Sequence, residues 1–109
     1  MNSVILIGRL TRDPEVKYTP TQMAIGNFTI AIDRPTQEKK TDFPRITVYG
    51  KQAENCEKFL AKGSLVGIQG RLETNGQYTN VSADRVEFLE WKKKEPEPNF
   101  EQIDGDIPF

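Results

Sequence analysis

Apolar residues recur along the chain with two different periods, which divide it into strands and one helix. Residues 2–10 form an apolar, β-branched run that is typical of a strand buried on much of both faces. Residues 23–32 and 43–49 alternate apolar and polar positions, as strands with one buried face do. Two further strands are predicted over residues 65–74 and 77–89.

The period changes after residue 50, where helical spacing replaces alternation. Four apolar residues at this spacing predict one short amphipathic helix: Ala53, Cys56, Phe59 and Leu60. Gly63 follows Lys62 and is predicted to end the helix. Cys56 lies on the apolar stripe, so a buried structural thiol is favoured over a reactive one.

The pair Asn75-Gly76, between the last two strands, is the strongest short signal for a hairpin and predicts a type I′ turn. The element order is then strand, strand, strand, helix, strand, strand. An all-β, five-stranded barrel with one short helix between strands three and four is the OB-fold arrangement, which commonly binds oligonucleotides or oligosaccharides on one face. Because a fold does not fix a function, that face has to be read residue by residue.

Charge is segregated along the 109 residues. Residues 1–91 suit one domain, and from Lys92 onward a composition of Lys, Glu, Pro and Asn predicts a disordered tail over residues 92–109. Residues 95–109 carry five acids and no base, which leaves 15 bases and 11 acids in residues 1–94. A basic body with an acidic tail is a common way to bind polyanions and present a separate contact. The alternative is a soluble domain with a ragged terminus.

The absence of histidine removes several kinds of site. Ser-His-Asp and Cys-His catalysis and the usual zinc sites are excluded, and one cysteine cannot rebuild them. We expect no enzyme, no metal and no cofactor. The single cysteine excludes an internal disulfide, as expected of a reducing compartment. No apolar run has the length of a membrane span and the start of the chain lacks the pattern of a signal peptide, so we expect a cytoplasmic protein.

One face of the third predicted strand displays aromatic rings and cations together. A period of two places Phe43, Arg45 and Tyr49 on one face, while Ile46 and Val48 take the inward positions. Exposed rings flanked by cations suit single-stranded nucleic acid, because any base can stack on a ring while Arg and Lys neutralise phosphates. The alternative is that the rings pack under the preceding loop or in a subunit interface.

Other cations and rings extend this candidate interface. Tyr78 is either a stacking ring or an edge-strand packing residue, and Trp91 either closes one end of the barrel or adds a ring to the nucleic-acid path. Arg12, Arg85 and Lys58 fit ordinary solvated charges as well as they fit this interface, and they are not counted among the candidates. The candidate phosphate contacts are Arg45, Lys51, Lys62, Lys17, Arg34, Lys39, Lys40 and Arg71.

The last six residues are interpreted as a peptide for a pocket of another protein. Phe109 fills a hydrophobic socket in this hypothesis, the terminal carboxylate meets an arginine, and the aspartates steer the approach. Gly105 and Pro108 make the segment a poor helix or strand. The residues of this partner-binding tip are Asp104, Gly105, Asp106, Ile107, Pro108 and Phe109.

In this order, the motifs resemble the bacterial single-stranded DNA-binding protein (SSB) family, including its phage and plasmid members. The similarity runs through nearly the whole sequence, in residues 2–10, 13–18, 43–51, 53–54, 60, 62–64 and 70–72 and in the final Asp-Ile-Pro-Phe. It implies an OB-fold homotetramer that wraps single-stranded DNA without sequence specificity and pairs first strands between subunits. It further implies stacking on Phe43 and Tyr49 and phosphate contacts at Arg45, Lys51 and Lys62. The tip then resembles the segment that recruits replication, recombination and repair enzymes.

The chain departs from the family pattern at several places. Residues 35–37 hold no aromatic where the family usually has a stacking ring, and the Asn75-Gly76 turn replaces a long DNA-binding hairpin. The tail from Glu95 is also very short, and Gly105 stands where an aspartate is common. A smaller DNA footprint and weaker wrapping are therefore expected. A family member shortened in this way resembles a phage or mobile-element product.

Two other function classes fit parts of the sequence. An OB-fold adaptor with weak DNA binding suits the missing loop ring and the short hairpin. A nuclease needs clustered carboxylates for a metal, and Asp33, Asp42 and Asp84 show no motif spacing. RNA binding stays open, since stacking tolerates both sugars.

Overall fold

The computed structural model describes residues 1–36 and 39–90. Within these ranges the chain forms seven strands and one helix. They are β1 (Val4–Leu10), β2 (Glu15–Tyr18), β3 (Ala24–Asp33), β4 (Thr41–Asp42), β5 (Arg45–Tyr49), α1 (Lys51–Phe59), β6 (Leu65–Asn75) and β7 (Tyr78–Glu90).

Five of the strands close into a ring in the order β1-β6-β7-β5-β3. The ring closes because β1 pairs antiparallel with β6 along most of its length and with β3 at Arg9 and Leu10. The predicted all-β, five-stranded OB-fold barrel with its helix between the third and fourth main strands is confirmed. The short strands β2 and β4 lie outside the ring, each paired with β3.

Alternation along the strands places the core inside the barrel. Ile30 of β3, Ile46 and Val48 of β5, and Val66 and Ile68 of β6 are all buried. On β1 the prediction of burial on both faces was wrong for this single chain, because Ile5 is 73% exposed and Ile7 57% exposed. Their neighbours Gly8 and Leu10 point inward and are buried.

Helix α1 ends at Phe59, earlier than Gly63 predicts. Leu60 is already extended, with φ −109° and ψ 149°, because its side chain turns into the core. The Ala61 N–H then donates to Ser64 Oγ at 3.0 Å, and Gly63 adopts φ +92° in the turn that follows. The predicted burial of Cys56 is confirmed, and this burial raises the pKa of its thiol to about 12.

The barrel has two short strand pairings, and the first is that of β1 with β3. The second, which we call the seam, joins β5 to β7. These strands run parallel and pair only at Ile46 with Val81 and at Thr47 with Ser82. A side chain of α1 continues the contact along β7: Gln52 Nε2 donates to the Asp84 carbonyl at 2.9 Å, and the Val86 N–H donates to Gln52 Oε1 at 2.9 Å. The helix therefore helps to close the barrel.

The hairpin between β6 and β7 has the predicted two-residue connection, shifted by one position. Asn75 still pairs with Tyr78, so Gly76 and Gln77 are the central residues. Gly76 has φ +63°, and Gln77 is not among the residues with positive φ. A glycine at the first central position with positive φ is the pattern of a type II′ turn, so the predicted type I′ turn was wrong.

Candidate nucleic-acid interface

Strand register builds one continuous outer face across five strands. Residues that pair across neighbouring strands point to the same side of a sheet, so a chain of pairs defines a row of side chains. One such row contains Glu15, Asn27, Thr47, Ser82 and Arg71, taken from β2, β3, β5, β7 and β6 in turn, and of these Ser82 is buried. The candidate interface lies on this row and on its neighbours.

The adjacent rows carry the residues that the sequence picked out on β5. Lys17, Ile25 and Tyr49 form the row on one side, and Thr29 pairs with Arg45 on the other. Tyr49 is 43% exposed, while Ile46 and Val48 are fully buried, so the predicted parity of this strand is confirmed. Register thereby brings Lys17 and Tyr49 to one row, with Ile25 between them.

A groove of about 580 Å³ lies beside the seam, between the start of β5 and the start of β7. It brings together three residues that the sequence predicted for the interface, Phe43, Arg45 and Tyr78. Phe43 is 61% exposed and Tyr78 is 73% exposed, so neither ring is packed under a loop or against an edge strand of this chain. We call it the hairpin groove; its lining residues are Asn27, Phe43, Pro44, Arg45, Asn75, Tyr78, Thr79 and Asn80.

A second groove, of about 460 Å³, meets the hairpin groove at Asn27, Phe43 and Arg45. Arg12 also lines this second groove, although the sequence analysis did not count it among the candidates. Its position just after a strand that borders the interface was a usable signal. We call the second groove the acid-lined groove; its lining residues are Thr11, Arg12, Asp13, Glu15, Asn27, Phe28, Thr29, Phe43 and Arg45.

Some of the cations that were predicted to contact phosphates already form an ion pair with a carboxylate, and others do not. Arg34 makes a two-point ion pair with Asp42, with Nη2–Oδ1 at 2.8 Å and Nε–Oδ2 at 3.0 Å. These hydrogen bonds from Arg34 lower the pKa of Asp42. Arg71 contacts Asp84 at 3.2 Å and Glu73 at 3.3 Å. Arg45 forms no ion pair with any residue in 1–36 or 39–90, so its charge is the more available to a phosphate.

The remaining candidate cations line neither groove. Lys51 begins α1. Lys62 follows the helix, and its backbone N–H donates to Asp13 Oδ1 at 2.8 Å, which holds it at one end of the acid-lined groove. Lys39 and Lys40 are exposed in the loop before β4.

Two predicted features, a possible ring of the nucleic-acid path and the partner-binding tip of the tail, fall outside the described residues. These are Trp91 and the tip at residues 104–109.

The three aspartates weighed for a nuclease are each held by a partner of their own. Asp33 accepts from the Thr41 hydroxyl at 2.9 Å, while Asp42 pairs with Arg34 and Asp84 with Arg71. In the described ranges no three His, Cys, Asp or Glu side chains gather where an ion could sit. This geometry gives the nuclease hypothesis no support.

Residues 1–36 and 39–90 contain no helix with the length and apolar character needed to span a membrane.

Residues 1–90 match the model of the single-strand binding protein family. In an alignment of 121 positions, the chain is 43% identical to single-stranded DNA-binding protein 2 of Clostridium acetobutylicum. The alignment covers 99% of this chain and 89% of the relative. The chain is 45% identical over 103 residues to the single-stranded DNA-binding protein of Halalkalibacterium halodurans, covering 83% of this chain and 61% of the relative.

Solved structures agree with the sequence relatives. The wild-type single-stranded DNA binding protein of Thermus aquaticus superimposes with a TM-score of 0.74 at 31% identity, covering 89% of this chain and 44% of that chain. This chain therefore spans less than half the length of the Thermus protein. The chain belongs to the single-strand binding protein family, and with it to a class of non-enzymatic DNA-binding proteins.

Proposed function

We propose that this protein binds single-stranded DNA without sequence specificity, along the outer face of β5 and β7. One observation carries the proposal: the exposed rings of Phe43 and Tyr78 line the same groove as Arg45. Rings that stack on any base, next to a cation for phosphate, form a sequence-tolerant site. The names of the relatives, all single-stranded DNA-binding proteins, support the same reading.

Removing the Phe43 ring tests the site. Phe43→Ala is expected to lower the affinity for a labelled oligo-dT by about 1–3 kcal/mol, since a base loses its stacking platform. Fluorescence anisotropy at fixed salt measures this. Phe59→Ala is the control, because Phe59 packs its ring on Phe88 with centroids 6.3 Å apart and lines neither groove.

Two outcomes would count against the proposal in different ways. If Phe43→Ala and Tyr78→Ala both bound like the wild type, the hairpin groove would not be the site. If the wild type itself bound oligo-dT only weakly, the adaptor hypothesis would be favoured.

The proposed cellular role is to protect single strands during replication, recombination and repair, in the cytoplasm of a bacterium or of a phage's host. The tip at residues 104–109 recruits partner enzymes in this proposal, supported by its resemblance to the family's terminal segment and by its apolar, acidic composition. Deleting Ile107-Pro108-Phe109 should abolish co-purification with such enzymes while oligo-dT affinity stays the same or rises slightly. A collapse of DNA binding in this variant would contradict that role.

The protein is also proposed to assemble into a homotetramer. Exposed Ile5 and Ile7 line an apolar cleft of about 190 Å³ with Gly67 and Leu89, on the outer face of β1, β6 and β7. Apolar surface of this kind is typical of a subunit contact, and it lies apart from the residues that line the hairpin groove.

A further inference from the structure

We propose that Asn27 donates a hydrogen bond to the edge of a base held between the grooves, which gives the site a modest preference for bases with a carbonyl oxygen. The inference rests on the proposed DNA binding and adds a contact to it. Asn27 lines both the hairpin groove and the acid-lined groove, at the place where Phe43 and Arg45 also line both. It therefore stands where a stacking ring and a phosphate contact already meet.

The orientation of the Asn27 amide is set by its neighbour on β5. Asn27 pairs with Thr47 across the sheet, and the Thr47 hydroxyl donates to Asn27 Oδ1 at 2.9 Å. The donor side of the amide, Nδ2, is left for another acceptor, and no residue within 1–36 or 39–90 accepts from it. Asn27 is already half-buried, so a strand lying over it would cut Nδ2 off from water. A covered donor without a partner is costly, and the strand has to supply the acceptor.

The charges around Asn27 favour a base over a phosphate as that acceptor. Glu15 pairs with Asn27 from β2, and Asp13 lines the same groove. Arg12 and Arg45 line that groove too, and either guanidinium binds a phosphate more strongly than a neutral amide does, so the amide is left for a neutral carbonyl. Thymine offers two carbonyl oxygens and adenine none. The phosphate is left to Arg45, on the neighbouring row.

The test removes the acceptors from the DNA and the donor from the protein in turn. Oligo-dT is compared with an oligonucleotide of difluorotoluene deoxynucleotides, which keep the shape of thymine but replace its carbonyl oxygens with fluorine. We expect the wild type to bind oligo-dT about three- to tenfold more tightly than this isostere, as one net hydrogen bond predicts. Asn27→Ala should abolish the difference, and Thr47→Val should reduce it because the amide loses its orientation. Asn55→Ala, an amide on α1 that lines neither groove, should keep it.

Each other result is decisive. Equal binding of both strands by the wild type overturns the inference, as does a difference that persists in Asn27→Ala. A loss of equal size on both strands in Asn27→Ala assigns the contact to phosphate and also overturns it. A circular dichroism melt of Asn27→Ala shows whether this variant is folded. If it folds poorly, the comparison of the two strands on the wild type and on Thr47→Val still tests the inference. A wild type that does not bind oligo-dT at all contradicts the proposed function instead.

Discussion

Cys56 is the only cysteine of the chain, and its thiol is packed in the core on the inner side of α1. Burial raises its pKa from 9.0 to about 12. The unfolded chain therefore releases this proton at a lower pH than the folded protein does. The thiol's contribution to stability is complete below pH 9 and is lost as the pH rises from 9 toward 12.

Comparison with Cys56→Ala isolates this effect from other groups that titrate in alkali. Above pH 9, the wild-type free energy of unfolding should fall relative to that of Cys56→Ala by about 1.4 kcal/mol per pH unit. Urea unfolding at pH 8, 9 and 10 measures it. Parallel pH profiles for the two proteins would show that the thiol is accessible in the folded state.

The register between paired strands decides which side chains meet in the candidate interface. A sequence does not specify that register directly, and this limits what it can predict at the residue scale. The parity of β5 follows from its own alternation, so the outward positions of Phe43, Arg45 and Tyr49 were predictable. Asn27 and Arg12 were missed, because their role depends on what lies across the sheet from them. The ion pairs that occupy Arg34 and Arg71 are likewise cross-strand or cross-hairpin contacts.

At the scale of elements, Gln52 links α1 to β7 beside the parallel seam. Gln52→Ala removes both of its hydrogen bonds and leaves the part-buried Val86 N–H without this partner. A loss of about 1–3 kcal/mol in the free energy of unfolding is expected. Asn55→Ala, one turn further along α1, is the control and should change stability little. Equal urea midpoints for wild type and Gln52→Ala would contradict a stabilising role for this link.

The five main strands and the helix were predictable because each carries its own apolar pattern. The short strand β2 was not, since Val16 is its only aliphatic residue and Pro14 and Pro20 flank it. Its pairing comes from the long strand β3 beside it. The end of α1 and the turn at Gly76 also differed by one to a few residues, because burial of Leu60 and pairing of Asn75 with Tyr78 override local propensity.

At the scale of the whole molecule, the apolar cleft at Ile5 and Ile7 makes assembly testable. Replacing both residues with lysine would add two charges to the proposed subunit contact, where Arg85 already pairs with Glu87. The double variant should therefore elute as a smaller species, with its mass read by light scattering. Met23→Lys is the control, because Met23 is also an exposed apolar residue, at 49%, but lies outside this cleft. An unchanged mass in the double variant would move the contact elsewhere.

Net charge alone could not locate the interface. The described residues carry twelve bases and ten acids, so much of the positive excess predicted for residues 1–94 comes from Lys92, Lys93 and Lys94. Within the part of the chain that the structure describes, the distribution matters more than the total: Arg12 and Arg45 form no ion pair, whereas Arg9, Arg34, Arg71 and Arg85 are paired with carboxylates.

The parallel seam has a consequence for how a bound strand acts on the protein. Phe43 stands just before β5 and Tyr78 begins β7, so DNA in the hairpin groove spans two strands that share only two residue pairs. The ligand then bridges one of the two short strand pairings of the barrel, and its binding energy opposes the separation of β5 from β7. Amide hydrogens at the seam should gain more protection from deuterium exchange on DNA binding than those between β1 and β6.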